Sequence, residues 1–243
     1  MGRSGMLLCA MVVMWAGLWE VGAAAEPSSV PAAEALRIMQ FVLTGTVSTE
    51  RARGFVNEAQ AAGFTAVQVL LTDGVQFDHA PWIPVKTAWT KAEFLSWADY
   101  ARAHGLEVIP EVKLLTHQEQ FFQRQYPGLM FNTVSYDPRK DATYAVVFPF
   151  LDELIEAVHP RAIHIGHDEA FGWTVGQVSK WLKLGEVMIP SDLFLRDVVR
   201  VHDYLGKKGV ETWMWADMVL SPAEFPGAQT RHLHGIAAGY GKA

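Results

Sequence analysis

The chain has 243 residues, half of them hydrophobic and 19% charged, with a net charge of −6. That composition excludes whole-chain disorder, collagen-like repeats and low-complexity architectures, and the length can bury a sizeable core. No basic block stands out, so the electrostatic footprint of a nucleic-acid binder is missing, and an acidic surface gives no attraction to anionic membranes.

Residues 1–25 begin with Arg3, run through an apolar stretch over 6–19 and end in Ala23-Ala24-Ala25 before Glu26-Pro27. A charged start, a short hydrophobic run and small residues at the end predict a secretory signal peptide and a secreted or periplasmic protein. The run is shorter than the roughly 20 apolar residues of a membrane span, so no membrane association is expected after cleavage. The single cysteine, Cys9, leaves with this segment. A thiol nucleophile, a cysteine metal site and a disulfide framework are thereby excluded from the mature chain. Residues 26–34 read as a flexible linker, and 35–243 as one domain.

From residue 36 onward, strand-like and helix-like stretches alternate. Strands are predicted at 36–43, 66–71, 107–112, 162–166 and 211–215. Helices are predicted at 49–62, from Thr90 to about His104, at 144–158 and at 191–208. Thr90 and Glu93 have the spacing of a capping box, and Gly63, Gly105 and Gly209 follow helices as stop signals. A loop holding Pro81, Trp82 and Pro84 follows the second strand. Five strand–helix repeats in one direction predict a parallel sheet.

Two parallel folds compete, a (β/α)8 TIM barrel and an open doubly wound sheet. No G-x-G-x-x-G opens a helix after the first strand and no phosphate loop occurs. Polar residues collect just after strands instead: Thr72-Asp73, His117, Asp168-Glu169 and Asp217. In a barrel those ends share the face where active sites are built. The expectation is a TIM-barrel-type α/β fold that is incomplete, with about five to six βα units. Five units use residues 35–217, leaving 26 residues and one further strand candidate at 231–235.

The sharpest segment is His164-Ile165-Gly166-His167-Asp168-Glu169. An apolar strand that runs into two carboxylates is costly unless they face a pocket or solvent. One acid can orient a substrate group while its neighbour transfers a proton, and mutual repulsion with partial burial raises one pKa, as a general acid requires. The plainer reading makes Asp168 a cap and Glu169 a solvated residue of the following turn.

These residues resemble the H-x-G-G-D-E signature of glycoside hydrolase family 20, the β-N-acetylhexosaminidases. Leu71-Thr72-Asp73-Gly74-Val75-Gln76-Phe77 is similar to the family's L-T-D-D-Q-x-F. Val108-Ile109-Pro110-Glu111 through His117 is similar to its V-I-P-E…G-H, and Trp213-Met214-Trp215-Ala216-Asp217-Met218 to its fifth-strand W-x-[DE]. The resemblance implies a substrate-assisted retaining glycosidase that removes terminal N-acetylhexosamine from glycans with no cofactor and no metal, outside the usual two-carboxylate scheme. It implies Asp168 and Glu169 as the catalytic pair, Asp168 holding the acetamido N–H and Glu169 protonating the leaving oxygen. It further implies Arg37 and Asp73 as sugar contacts or pocket organisers, His117 beside the acid, and Trp215 as an apolar wall. The expected partner is a carbohydrate containing N-acetylhexosamine.

The chain departs from the pattern where His167 stands for the second glycine, Gln68-Val69-Leu70 for H-W-H, Leu115-Thr116-His117 for P-G-H, and Lys113 for an acid. Three other readings remain at this level. A metal-dependent hydrolase would draw on His164, His167, Asp168, Glu169 and the pair His232 and His234, although no H-E-x-x-H is present. A two-carboxylate barrel glycosidase needs a nucleophile on a seventh strand. A non-catalytic carbohydrate-binding barrel fragment is the third. Of the tryptophans, Trp97 and Trp181 fit helix cores. Trp213 and Trp215 share one strand face, one suited to core and the other to a pocket wall.

Overall fold

The computed structural model describes residues 36–119, 121–170, 182–183 and 185–220. The signal peptide and linker predicted at 1–34, Trp181, the strand candidate at 231–235 and the pair His232 and His234 lie outside them.

Seven strands and five α-helices follow in the order β1 (Ile38–Leu43), α1 (Thr49–Ala61), β2 (Ala66–Leu71), β3 (Val75–Gln76), β4 (Trp89–Thr90), α2 (Lys91–Ala103), β5 (Glu107–Leu114), α3 (Phe122–Gln125), α4 (Asp141–Val158), β6 (Ala162–Gly166), α5 (Ser191–Gly206) and β7 (Glu211–Trp213). The local causes are legible. Ser48 Oγ accepts the Arg51 N–H at 3.1 Å to start α1, and Thr90 and Glu93 form the expected capping box at α2. Gly63, Gly105 and Gly209 turn left-handed after helices. The loop after β2 is less irregular than its prolines suggest, because Val75–Gln76 pairs with Trp89–Thr90. Glu153 of α4 ties this loop down, accepting the backbone N–H of Asp78 at 3.0 Å, that of His79 at 2.8 Å and the Lys91 ammonium at 2.7 Å.

The main sheet is parallel, in the order β1-β2-β5-β6-β7. Each strand pairs with the next long strand in the chain. A doubly wound sheet reverses its order at a switch point, whereas a barrel runs monotonically. The order therefore fits the TIM-barrel type and not the open alternative. Among the described residues the sheet does not close, and β1 and β7 are its edges.

Period-two alternation gives the sheet two unlike faces. Phe41, Leu43, Val67, Val69, Leu71, Val108, Val112, Ile163 and Ile165 belong to the large apolar core shared with helix residues such as Phe55, Trp97, Phe150 and Phe194. Trp97 is fully buried there and donates Nε1–H to Ala52 O at 3.0 Å. The opposite face holds a small apolar layer of Ala66, Ile109, Ala162 and Trp213 with Ile38 against it. Above that layer, toward the strands' C-terminal ends, this face turns polar.

Three strand ends differ from the sequence expectation, the first being β1, which starts at Ile38 and not at residue 36. β5 runs on to Leu114, which pairs with Gly166 after a register irregularity beyond Glu111. β7 stops at Trp213, although the Trp215 N–H still reaches Gly166 O at 3.0 Å.

Candidate active site

The polar layer centres on Glu111, buried to 1% exposure. Its Oε2 accepts Gln40 Nε2 at 2.5 Å and Gln68 Nε2 at 2.8 Å, and its Oε1 accepts Trp215 Nε1 at 3.1 Å. Burial raises the Glu111 pKa, with the two glutamine amides opposing. His164 faces Trp215 with ring centres 4.6 Å apart, and its Nδ1 accepts the Gly166 N–H at 3.2 Å. Burial drives the His164 pKa down to about 3, so the ring is neutral. This layer is the floor on which the acid pair stands.

Asp168 and Glu169 follow β6 after the single residue His167. The turn that carries them is bent: Gly166, His167 and Glu169 all have positive φ (78°, 64° and 47°), and so do Leu115 and His117 after β5 (61° and 59°). A left-handed residue other than glycine costs roughly 1–2 kcal/mol. Such positions persist only where surrounding structure over-determines them, and they gather at functional sites. Gly166 also needs its lack of a side chain, since a Cβ there would lie 3.2 Å from Val112 O and 3.3 Å from Lys113 Cα.

Three side chains converge on the pair. His117 Nε2 lies 3.2 Å from Asp168 Oδ2 and 3.8 Å from Glu169 Oε2. Lys113 Nζ lies 3.5 Å from Asp168 Oδ2. From beyond β7, Asp217 Oδ2 accepts the Glu169 backbone N–H at 3.1 Å. Asp168 Oδ1 is buried and, among the described residues, has no hydrogen-bond partner. A buried acceptor left open costs free energy unless something donates to it.

The electrostatics separate these groups. Burial alone would raise Asp168, but the hydrogen bond from His117 and the charges of His117 and Lys113 hold it well below the usual carboxylate range. Burial opposes protonation of His117, and Asp168 outweighs it, so the His117 pKa is raised. Asp217 moves the other way: burial, with the neighbouring charges of Asp168 and Glu169, pushes it up to about 7. A permanently ionised carboxylate thus stands beside an acid that titrates near neutrality, a division suited to proton transfer.

The ligand atoms of His117, Asp168 and Glu169 lie within 4.8 Å of one another. That spacing would suit a cation, but Lys113 sets a positive charge against the same Asp168 oxygen. The wider metal set does not assemble among the described residues. His164 packs on Trp215, and His167 is turned away to Asp197 at 2.8 Å.

Of the residues expected at the site, the structure brings together Asp168, Glu169 and His117. Trp215, past the end of β7, donates to Glu111 in the polar layer, while Trp213 sits in the small apolar layer. Asp73 follows β2 at the same end of the sheet, where Thr72 Oγ1 donates to its Oδ1 at 3.3 Å. Arg37 is a correction. It precedes β1, so it stands at the opposite end of a six-residue strand, about 20 Å long. There its Nε donates to Gly63 O at 2.6 Å. Sequence reasoning saw Lys113 only as a departure and left Asp217 without a role. It missed Asp197 altogether, although Asp197 shares the helical spacing of Phe194, Val201 and Leu205, and a charge on that apolar stripe is the available signal.

Comparison with known proteins identifies the family. Residues 64–232 match the model described as glycosyl hydrolase family 20, catalytic domain. No match was found among the curated proteins. Among solved structures, the chain is similar to a chitobiase from Flavobacterium johnsoniae (TM-score 0.63, 16% identity, 76% of this chain and 32% of that one). It is similar to a β-N-acetylhexosaminidase from Streptomyces coelicolor A3(2) (TM-score 0.61, 19% identity, 76% and 40%). A mutant Streptomyces plicatus β-hexosaminidase in complex with product (GlcNAc) also matches (TM-score 0.59, 19% identity, 76% and 40%). The chain spans well under half the length of these three structures. With the family model covering more than half of its residues and the acid pair standing at the end of a barrel-type strand, the chain belongs to glycosyl hydrolase family 20.

Proposed function

We propose that the protein is an exported glycosidase that releases terminal N-acetylhexosamine from glycans by a substrate-assisted retaining mechanism. The observation that carries the reading is Asp168. His117 and Lys113 hold its Oδ2, and its buried Oδ1 is left without a donor among the described residues. An acetamido N–H supplies that donor. The product bound by the Streptomyces plicatus enzyme, GlcNAc, carries such a group.

In the proposed reaction Asp168 accepts the acetamido N–H and orients the acetamido oxygen, which attacks the anomeric carbon as the glycosidic C–O bond breaks. Glu169 gives its proton to the departing oxygen. The resulting carboxylate takes a proton from water, which opens the cyclic intermediate and returns the sugar with its configuration retained. His117, 3.8 Å from Glu169, steadies the carboxylate between these steps. Trp215 forms apolar wall beneath the sugar, and Asp73 contacts the sugar from the end of β2. Export rests on the leader-like pattern of residues 1–25.

The test is release of nitrophenol from aryl N-acetylglucosaminide and N-acetylgalactosaminide by purified protein, beside Glu169→Gln. Turnover of either substrate, reduced at least about 100-fold in the variant, is expected. Soluble, folded protein inactive on both removes the hexosaminidase reading. Equal activity in Glu169→Gln removes the role given to that residue.

A further inference from the structure

We propose that His167 and Asp197 form a buried clamp that positions the Asp168–Glu169 pair; this role rests on the glycosidase reading above. The resemblance places a glycine at residue 167, and this chain has a fully buried histidine there instead. The left-handed turn after β6 sends the His167 ring to the helix layer, while Asp168 meets His117 on the other side. The ring meets Phe194 of α5 edge-on, 5.6 Å between centres.

Both ring nitrogens are engaged. Nδ1 lies 3.1 Å from Ile165 O. Nε2 lies 2.8 Å from Asp197 Oδ2. Asp197, also fully buried, accepts Tyr136 OH on the same oxygen at 3.0 Å and Tyr144 OH on Oδ1 at 2.6 Å. One helix carboxylate therefore gathers donors from the turn, from the segment before α4 and from α4 itself. A polar network with its partners in place is rigid.

The network sits where rigidity counts. His167 has φ of 64°, a conformation a glycine takes freely and could also leave freely. The clamped ring fixes the main chain at residue 167, and the next two residues are the two acids. Removing the ring restores glycine-like freedom without touching any group that would contact a sugar. The loss then falls on the chemical step more than on binding.

His167→Gly and the nearly isosteric Asp197→Asn are compared with wild type by kinetics on the aryl glycosides and by amide hydrogen exchange. A misplacement of about 1 Å is enough to cost 10²-fold in rate, so kcat is expected to fall about 10- to 100-fold with KM within about threefold. Exchange over 166–170 should quicken at least tenfold, while β1 and α1 stay as they are. The double variant should be no worse than the poorer single variant, because one contact is lost in each. A kcat within twofold of wild type, or unchanged exchange over 166–170, overturns the clamp. Should His167→Gly fail to fold, Asp197→Asn decides by the same two readouts. If wild type hydrolyses neither glycoside, the glycosidase reading fails and the exchange result alone decides the clamp.

Discussion

The backbone N–H of Glu169 donates to Asp217 Oδ2 at 3.1 Å, which joins the end of β6 to the segment just past β7. Asp217 thus fixes the main chain of the proposed general acid, and its own proton is held up to about pH 7 by burial and two neighbouring carboxylates.

A raised acid pKa has a definite linkage. The native state binds the Asp217 proton more tightly than the unfolded chain, so its contribution is full below about pH 4 and is lost as pH rises through about 7. Asp217→Asn keeps an oxygen for the Glu169 N–H and cannot ionise. The variant should be more stable than wild type at pH 8, by on the order of 4 kcal/mol, and melt correspondingly higher, with the gap closing near pH 4. Thermal melts at the two pH values check this. A gap that does not depend on pH would mean that Asp217 does not titrate as described.

Asp168 has the opposite sign. Its depressed pKa contributes stability above about pH 4 that disappears only as pH falls through the low folded value, so Asp168 stays ionised across any practical assay range. The acid limb of the rate profile should therefore belong to another group. Lys113→Gln removes one of the two cations on Asp168 Oδ2 and should lower kcat/KM about tenfold, an effect of the size expected for a partly buried charge contact. A profile of kcat/KM against pH for wild type and variant tests both points.

Glu111 accepts from three donors at once. Glu111→Gln would set an amide N–H2 against donors from Gln40, Gln68 and Trp215. Leaving buried donors unmatched costs about 1–3 kcal/mol, so the variant should melt several degrees lower. If it melts with wild type, the three bonds are not made as described.

Chelation bears on the proximity of His117, Asp168 and Glu169. With Lys113 beside the same carboxylate, turnover should be unchanged after dialysis against EDTA. A loss restored by one divalent ion would place a cation in the site.

Local structure was readable from the sequence wherever its cause was local. Ala66–Leu71 and Ala162–Gly166 have the predicted bounds because each is an apolar run between clear turn residues. The Thr90–Glu93 box works within four residues. Asp168 and His117 meet at strand ends, where motif order placed them. What stayed hidden depends on contacts between elements far apart in the chain. Nothing near Asp197 says that two tyrosines and a histidine converge on it. Arg37 misled because motif order places a residue near a strand without saying which end it occupies. The extension of β5 to Leu114, and with it the place of Lys113, follows from pairing with β6 and not from its own residues.

The two glycines of the family's signature are not equally replaceable in this chain. At 166 a side chain would meet both a left-handed backbone and the main chain of β5 at 3.2–3.3 Å. At 167 only the backbone conformation resists, and the helix layer has room for a ring. Sequence drift is thus closed at the first position and open at the second, provided the newcomer brings contacts that repay its left-handed turn. Divergent relatives that have lost the second glycine should carry a bonding side chain there, matched by a polar residue on the apolar stripe of the following helix.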